Sequence, residues 1–201
     1  MIQTYKNKLQ QMKGQKGLLV KQMKESEQLR NSYSVALDVA LQARTIAQIV
    51  AEQTQKKIEW QISNIVSAAL ASVFPDPYQF KLEFVQRRNK TEADLIFIKR
   101  GKRTDDILNS GGGGAANIAS FALRIALWSI KKGVPVMVLD EPTHFLHDPE
   151  YQEKASEMFK NISKELKMQL ILISDQKALL KAADRVIMVN NVNGESSVET
   201  M

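Results

Sequence analysis

The segment "VMVLDEP" closes a β-branched run on two adjacent carboxylates, Asp140 and Glu141. A strand buried in a parallel sheet delivers such a pair to the sheet's carboxyl edge, where open α/β folds bind their ligands. Two neighbouring acids there can divide the labour: one holds the water shell of Mg²⁺, the other orients or deprotonates an attacking water. The same pair also reads as a polar loop start or a helix cap. Upstream, "NSGGGGAANIAS" sets four of the chain's nine glycines in one tetrad, Gly111 to Gly114, at the start of an apolar helix. Ser110 offers a hydroxyl, and the glycines offer unencumbered N–H groups at a positive helix end, all suited to a phosphate. Read structurally, the tetrad is a tight loop-to-helix entry with Ser110 as N-cap. It is not a dinucleotide fingerprint, because "RTDDILN" before it makes a poor strand. Nor is it a P-loop, because Ala115, Ala116 and Asn117 stand where Gly-Lys-Ser/Thr is needed. His144 and His147 lie three apart with only Asp148 nearby; zinc needs a further ligand pair, so they read as loop surface.

The elements that must position these residues follow from the pattern of breakers and apolar periods. From Ile2 to Phe74 there is no proline, and the only glycines are Gly14 and Gly17. A long helix is expected, with a weak coiled-coil-like seam through Ile2, Tyr5, Leu9, Met12, Leu19 and Met23. A broader stripe runs from Ile46, Ile49 and Val50 through Ile58, Ile62, Ile65, Val66, Ala69 and Val73, suited to docking on a globular body. "FPDPY" ends the helix. Phe80, Leu82 and Phe84, then Leu95, Phe97 and Lys99, keep a period of two on either side of "RRNKTEAD", which predicts a β-hairpin with one buried face. The glycine tetrad opens a helix through Phe121, Leu123, Ile125, Ala126 and Ile130. The run from Val134 to Asp140 reads as a strand buried on both faces. A helix from about Tyr151 to Leu166, the strand "QLILIS", a short helix near Lys177 to Ala183 and the strand "RVIMVN" complete a β-α-β-α-β order, hence one parallel sheet with right-handed crossovers. The expected division is an arm at 1–45, an α/β lobe at 46–192 and a mobile tail at 193–201.

Composition sets the bounds. At 201 residues the chain can hold one domain with a real core, or a smaller one with an extension. Its 44% hydrophobic and 25% charged residues are ordinary for a soluble protein. No apolar run approaches the roughly 20 residues of a membrane span, and Met1 opens a polar segment rather than a signal peptide. A cytoplasmic protein with no membrane role is expected. The absence of cysteine excludes disulfides, thiolate catalysis and sulfur-ligated zinc. A net charge of +6 suits a polyanionic partner such as nucleic acid, although a solvated excess of lysine gives the same number.

Taken in order, "SGGGGAANIASFALRIAL", "VPVMVLDEPTHFLHD" and "QLILISDQKALLKAADRVIMV" resemble the carboxyl-terminal half of an ABC-type ATPase head of the SMC and SbcC-like DNA-repair kind, small phage-encoded forms included. The resemblance covers roughly Leu95 to Val189. Ser110, Gly111 and Gly112 match the core of the signature motif, with Gly113 beside them. Arg124 matches an arginine of the following helix, Asp140 and Glu141 the Walker B aspartate and catalytic glutamate, and "THFLHD" the D-loop. Ser174 and Asp175 fall at the switch strand, and the long helix fits the returning arm of the family's coiled coil.

The resemblance implies ATP and Mg²⁺ as cofactors, with Asp140 toward the metal and Glu141 toward the attacking water. It also implies a signature motif that crosses a head-to-head dimer and caps ATP on the other subunit, Ser110 giving its hydroxyl and Gly112 its N–H. Two departures stand out. No G-x-x-x-x-G-K-[ST] occurs, so a partner or missing segment must supply the Walker A lobe, and ATP hydrolysis is expected only in that completed head. Asp175 stands where the family usually carries histidine; an ionised carboxylate cannot donate to a phosphate and is repelled by it. His147 likewise occupies the place of the D-loop aspartate. The expected function is an ATPase lobe in DNA repair, recombination or replication. The alternative is a non-catalytic coiled-coil assembly or DNA-binding module that keeps the signature surface.

Overall fold

The computed structural model describes residues 1–108, 112–192 and 194–200, the side chain of Val192 excepted. Its internal contacts divide the chain into two units, Met1–Thr54 and Gln55–Met201. With no proline to interrupt it, helix α1 runs from Ile2–Val73. Throughout the first unit its side chains are exposed, the seam residues Ile2, Tyr5, Leu9, Met12, Leu19 and Met23 among them. Ile46, Ile49 and Val50, expected to dock, are exposed as well; burial begins with Ile58 and Ile62. The stripe was continuous in period, but its first turns find nothing to pack on within their own unit. Both α1 and the later helix α2 (Gly113–Lys131) are long and apolar enough, by length and composition, to cross a membrane, which corrects the expectation of no such stretch. For α2, the apolar side is the core of the second unit.

In the second unit, Ile62, Val66, Ala69, Leu70 and Val73 of α1 are buried. They share a core with a three-stranded antiparallel sheet of β1 (Gln79–Arg87), β2 (Lys90–Lys99) and β3 (Lys102–Thr104). The turn is tighter than the sequence implied: Arg88 and Asn89 alone form it, both at positive φ (50° and 59°), and Thr91 to Asp94 belong to β2. A two-residue turn with both residues left-handed matches the twist of a hairpin, and asparagine tolerates that region. The register sets Phe80 opposite Phe97 and Leu82 opposite Leu95. Helix α1 also satisfies the outer edge of β1. The N–H groups of Phe80, Leu82 and Phe84 donate to Ser67 Oγ (2.9 Å), Ser63 Oγ (2.9 Å) and Glu59 Oε1 (2.6 Å). Every second strand residue rises about 6.7 Å and every fourth helix residue about 6 Å, so the two repeats stay in step over three bonds.

Helix α2 (Gly113–Lys131) buries Ala115, Ile118, Ala119, Phe121, Ala122, Ile125 and Ala126. Strand β4 (Val136–Asp140) pairs in parallel with β5 (Gln169–Ile173), and the crossover between them contains α3 (Pro149–Leu166). Phe121 of α2 meets Phe159 of α3 edge-on, with centroids 4.4 Å apart. Helix α4 (Lys177–Ala182) leads to β6 (Ile187–Val192), which pairs antiparallel with β7 (Glu195–Thr200). The α/β architecture is the expected one, with three differences. Among the described residues β6 pairs with β7 rather than with the parallel pair. Glu195–Thr200, expected to be mobile, is a strand. Nor are β4 and β5 buried on both faces: Val136, Val138, Ile171 and Ile173 are 43%, 61%, 44% and 56% exposed, while Leu139 between them is buried. An all-apolar strand sequence states that both faces are to be covered, not that this chain covers them.

Candidate functional site

Strand β4 ends on Asp140, which pairs in register with Ile173, so β4 and β5 finish side by side. The two loops that follow are tied together. Glu141 N–H donates to Ile173 C=O at 2.9 Å. The Ser174 hydroxyl lies 3.3 Å from Glu141 Oε2, donating to its carboxylate. Two residues on, Thr143 Oγ1 is 2.6 Å from Gln176 Oε1, and Gln176 Nε2 is 2.8 Å from Thr143 C=O. Thr143 is fully buried, whereas Asp140 and Asp175 are exposed. Glu141 has φ of 44°, a left-handed backbone that costs a non-glycine residue about 1–2 kcal/mol.

The structure thus brings Glu141 and Ser174 together, 33 residues apart in sequence, and leaves Asp140 and Asp175 open at the same sheet edge. The described residues contain no group of three or more His, Asp or Glu side chains able to hold a metal on their own. His144 and His147 are exposed, as expected for loop surface.

Gly111 of the tetrad and Ser110 before it lie outside the described residues. Gly112 caps α2 at φ 78°, with, among the described residues, no side-chain cap and nothing within 4 Å of where a Cβ would stand. Gly113 is different: a Cβ there would lie 2.4 Å from Phe145 Cγ and 2.5 Å from its Cβ. At Gly114 the nearest atom would be a methyl of Leu146 at 3.1 Å. The start of α2 therefore packs directly on the loop after β4. That loop is held from beneath by buried Leu146, whose C=O accepts from Gln152 Nε2 at 2.7 Å. Asp148, one place late for a D-loop aspartate, is the N-cap of α3, accepting from Glu150 N–H at 2.8 Å ahead of Pro149. Farther along α2, Arg124 is exposed and donates to Ser120 one turn back.

Sequence reasoning missed Thr143, Phe145, Gln152 and Gln176. Thr143 and Phe145 sat inside a quoted motif with no sign of their partners, and a glutamine two places beyond Ser174 carries no signal at all. Only the pairing of β4 with β5 makes it a neighbour of Thr143.

No family model matches the chain. Among curated proteins, it is similar to the DNA double-strand break repair Rad50 ATPase of Archaeoglobus fulgidus, 28% identical over 155 residues, covering 77% of this chain and 17% of that protein. The Thermoplasma volcanium protein of the same name is 34% identical over 112 residues, or 53% and 12% of the two chains. The Pyrococcus abyssi one is 27% identical over 142 residues, or 70% and 16%. The chain thus spans less than a fifth of the length of these relatives. Among solved structures, an SMC ATPase studied for ATP-driven dimerization and DNA-stimulated activation aligns with a TM-score of 0.57 at 22% identity, over 75% of this chain and 88% of that one. An SMC head bound to the C-winged helix domain of ScpA aligns with a TM-score of 0.58 at 19% identity, over 77% and 45%. At such identities these structures speak for the fold, and the Rad50 sequences speak for descent. Together they show the chain to be homologous to the C-terminal region of the Rad50/SMC ATPase head.

Proposed function

We propose that the chain is the C-terminal lobe of an SMC-like ATPase head in DNA repair, supplying the Walker B pair, signature helix and D-loop to a composite site whose Walker A lobe comes from elsewhere. The observation that carries this reading is the junction of the β4 and β5 ends, where Glu141 is held by Ser174 and Ile173 beside an exposed Asp140. In this reading Asp140 anchors the metal and Glu141 orients the attacking water. Mg²⁺, when bound, supplies positive charge to the triphosphate. Ser110, Gly111 and Gly112 face the ATP of an opposing head, and DNA is the polyanion that the +6 charge suits.

The uncovered face of β4 and β5 supports the need for a second lobe. Covering the remaining half of Val136, Val138, Ile171 and Ile173 is worth about 3–6 kcal/mol in total, enough to stabilise a lobe-to-lobe contact. The test is Mg²⁺-ATPase activity of this chain alone and with a Walker A lobe. Turnover is expected only from the pair, and Glu141→Gln removes it. Turnover by the isolated chain, abolished by Glu141→Gln, would overturn the composite site.

Asp175 favours the second reading, a non-catalytic assembly or DNA-binding module, because it cannot donate to a phosphate as the family's histidine does. The two part on ATP-dependent dimerisation: Ser110→Arg blocks it in the ATPase reading, whereas a chain indifferent to ATP leaves only the structural role.

A further inference from the structure

The hydrogen bonds between the two loops have only one consistent polarity. Thr143 C=O can only accept, so the group 2.8 Å from it is the Gln176 amide NH₂. Gln176 Oε1 then faces Thr143 Oγ1 at 2.6 Å, and the threonine hydroxyl must donate to it. Turning the amide over would set its oxygen against the Thr143 carbonyl oxygen and lose that bond. The Gln176 backbone N–H donates to Ser174 Oγ at 3.3 Å, which leaves the single hydroxyl proton of Ser174 for Glu141 Oε2, also at 3.3 Å. The brace between Thr143 and Gln176 is short and half-buried; the link it supports is longer and softer.

Glu141 needs such support. Its φ of 44° is unfavourable for a non-glycine residue, and Pro142 behind it further prefers an extended predecessor. A conformation of this kind persists where neighbours over-determine it. Here Ile173 fixes the Glu141 N–H, and Gln176 fixes Thr143 two residues later by both its carbonyl and its hydroxyl. Asp175, exposed between Ser174 and Gln176, contributes no donor.

We propose that Gln176 is a positioning residue for Glu141: by clamping Thr143 it locks the loop after β4 to the loop after β5, and so keeps the Glu141 carboxylate on the Ser174 hydroxyl. The consequence for catalysis rests on the proposed ATPase reading; the clamp itself does not.

The experiment is amide hydrogen exchange on the full chain without nucleotide, paired with turnover by the lobe completed with a Walker A partner. In Gln176→Met, a near-isosteric change that removes both bonds, protection of the Glu141 amide drops about tenfold or more while Phe121 and Ala122 in α2 are unchanged. Thr143→Val removes the hydroxyl bond alone and keeps the carbonyl one, so protection falls by less, and the double variant falls no further than Gln176→Met. Gln176→Glu sets a carboxylate against the Thr143 carbonyl at neutral pH, and protonation below about pH 5 restores a donor. Its protection therefore recovers on acidification, whereas that of Gln176→Met does not, a response that loss of packing alone would not give. In the completed head kcat falls about 10-fold or more with KM unchanged. Should Gln176→Met fail to fold, Ser174→Ala is read instead, with kcat lowered and KM kept.

Wild-type protection at Glu141 in Gln176→Met, no acid recovery in Gln176→Glu, or an unchanged kcat with the clamp broken would each overturn the proposal. A completed wild-type head that never hydrolyses ATP sinks the ATPase reading instead, and the exchange data still decide the clamp.

Discussion

Gly112 and Gly113 are neighbours in one tetrad, yet they are glycines for different reasons. Gly112 sits at φ 78° with no described atom within 4 Å of where its Cβ would stand, so among the described residues a side chain there meets backbone strain alone. Gly113 has an ordinary φ but no room, because Phe145 occupies the place of its Cβ. Gly112→Ala should therefore destabilise the fold by about 1–2 kcal/mol, and Phe145→Ala should not relieve it. Gly113→Ala should cost about 1–3 kcal/mol through overpacking and be largely rescued by Phe145→Ala. Urea unfolding of the three single variants and the two doubles checks this; equal rescue at both positions would refute the distinction. Glycine runs announce unusual backbone or close approach, but one sequence cannot say which residue serves which need. The partner of Gly113 lies 32 residues away and is brought there only by the turn after β4.

At the scale of elements, the hairpin was legible because its strands alternate, whereas its attachment was not. Glu59, Ser63 and Ser67 are polar residues on a helix, ordinary as sequence, and become the caps of a strand edge only when α1 lies along β1. Ser63→Ala leaves the Leu82 N–H unpaired and should cost about 1 kcal/mol, read by faster exchange of that amide. On the exposed face, Arg87 grips Asp94 through two bonds of 2.8 and 2.7 Å. Its hydrogen bond holds the Asp94 carboxyl below its usual range, against a smaller opposing effect of desolvation. A lowered folded-state pKa means that this contribution is present above about pH 4, the unfolded aspartate value, and is lost as pH falls through the folded value. Hairpin protection should therefore weaken on strong acidification, and Arg87→Ala should flatten that part of the pH dependence. A dependence unchanged in Arg87→Ala would assign it to other carboxylates.

For the whole molecule, the exposed face of β4 and β5 is the feature with the largest consequence. Val138 is 61% exposed, so Val138→Asp should leave the stability of the isolated chain within about 1 kcal/mol of wild type. In the composite-head reading it should abolish association with a Walker A lobe, measured by co-purification and by loss of ATPase. Association unaffected by Val138→Asp would move the lobe contact elsewhere.

By itself the sequence determined most elements and their order, though not the strands Lys102–Thr104 and Glu195–Thr200, because periodicity, proline and glycine act locally. From those came the long helix, the hairpin and strands running toward Asp140 and Ser174; the likeness to an SMC and SbcC-type head rested on motifs that resemble that family. Tertiary structure decided which strand pairs with which, sending β6 to β7, and which faces stay open. It also decided that Glu141 is held by Ser174, that Thr143 answers to Gln176, and that Gly113 yields its space to Phe145. These depend on pairings between residues tens of positions apart, and no local pattern records them.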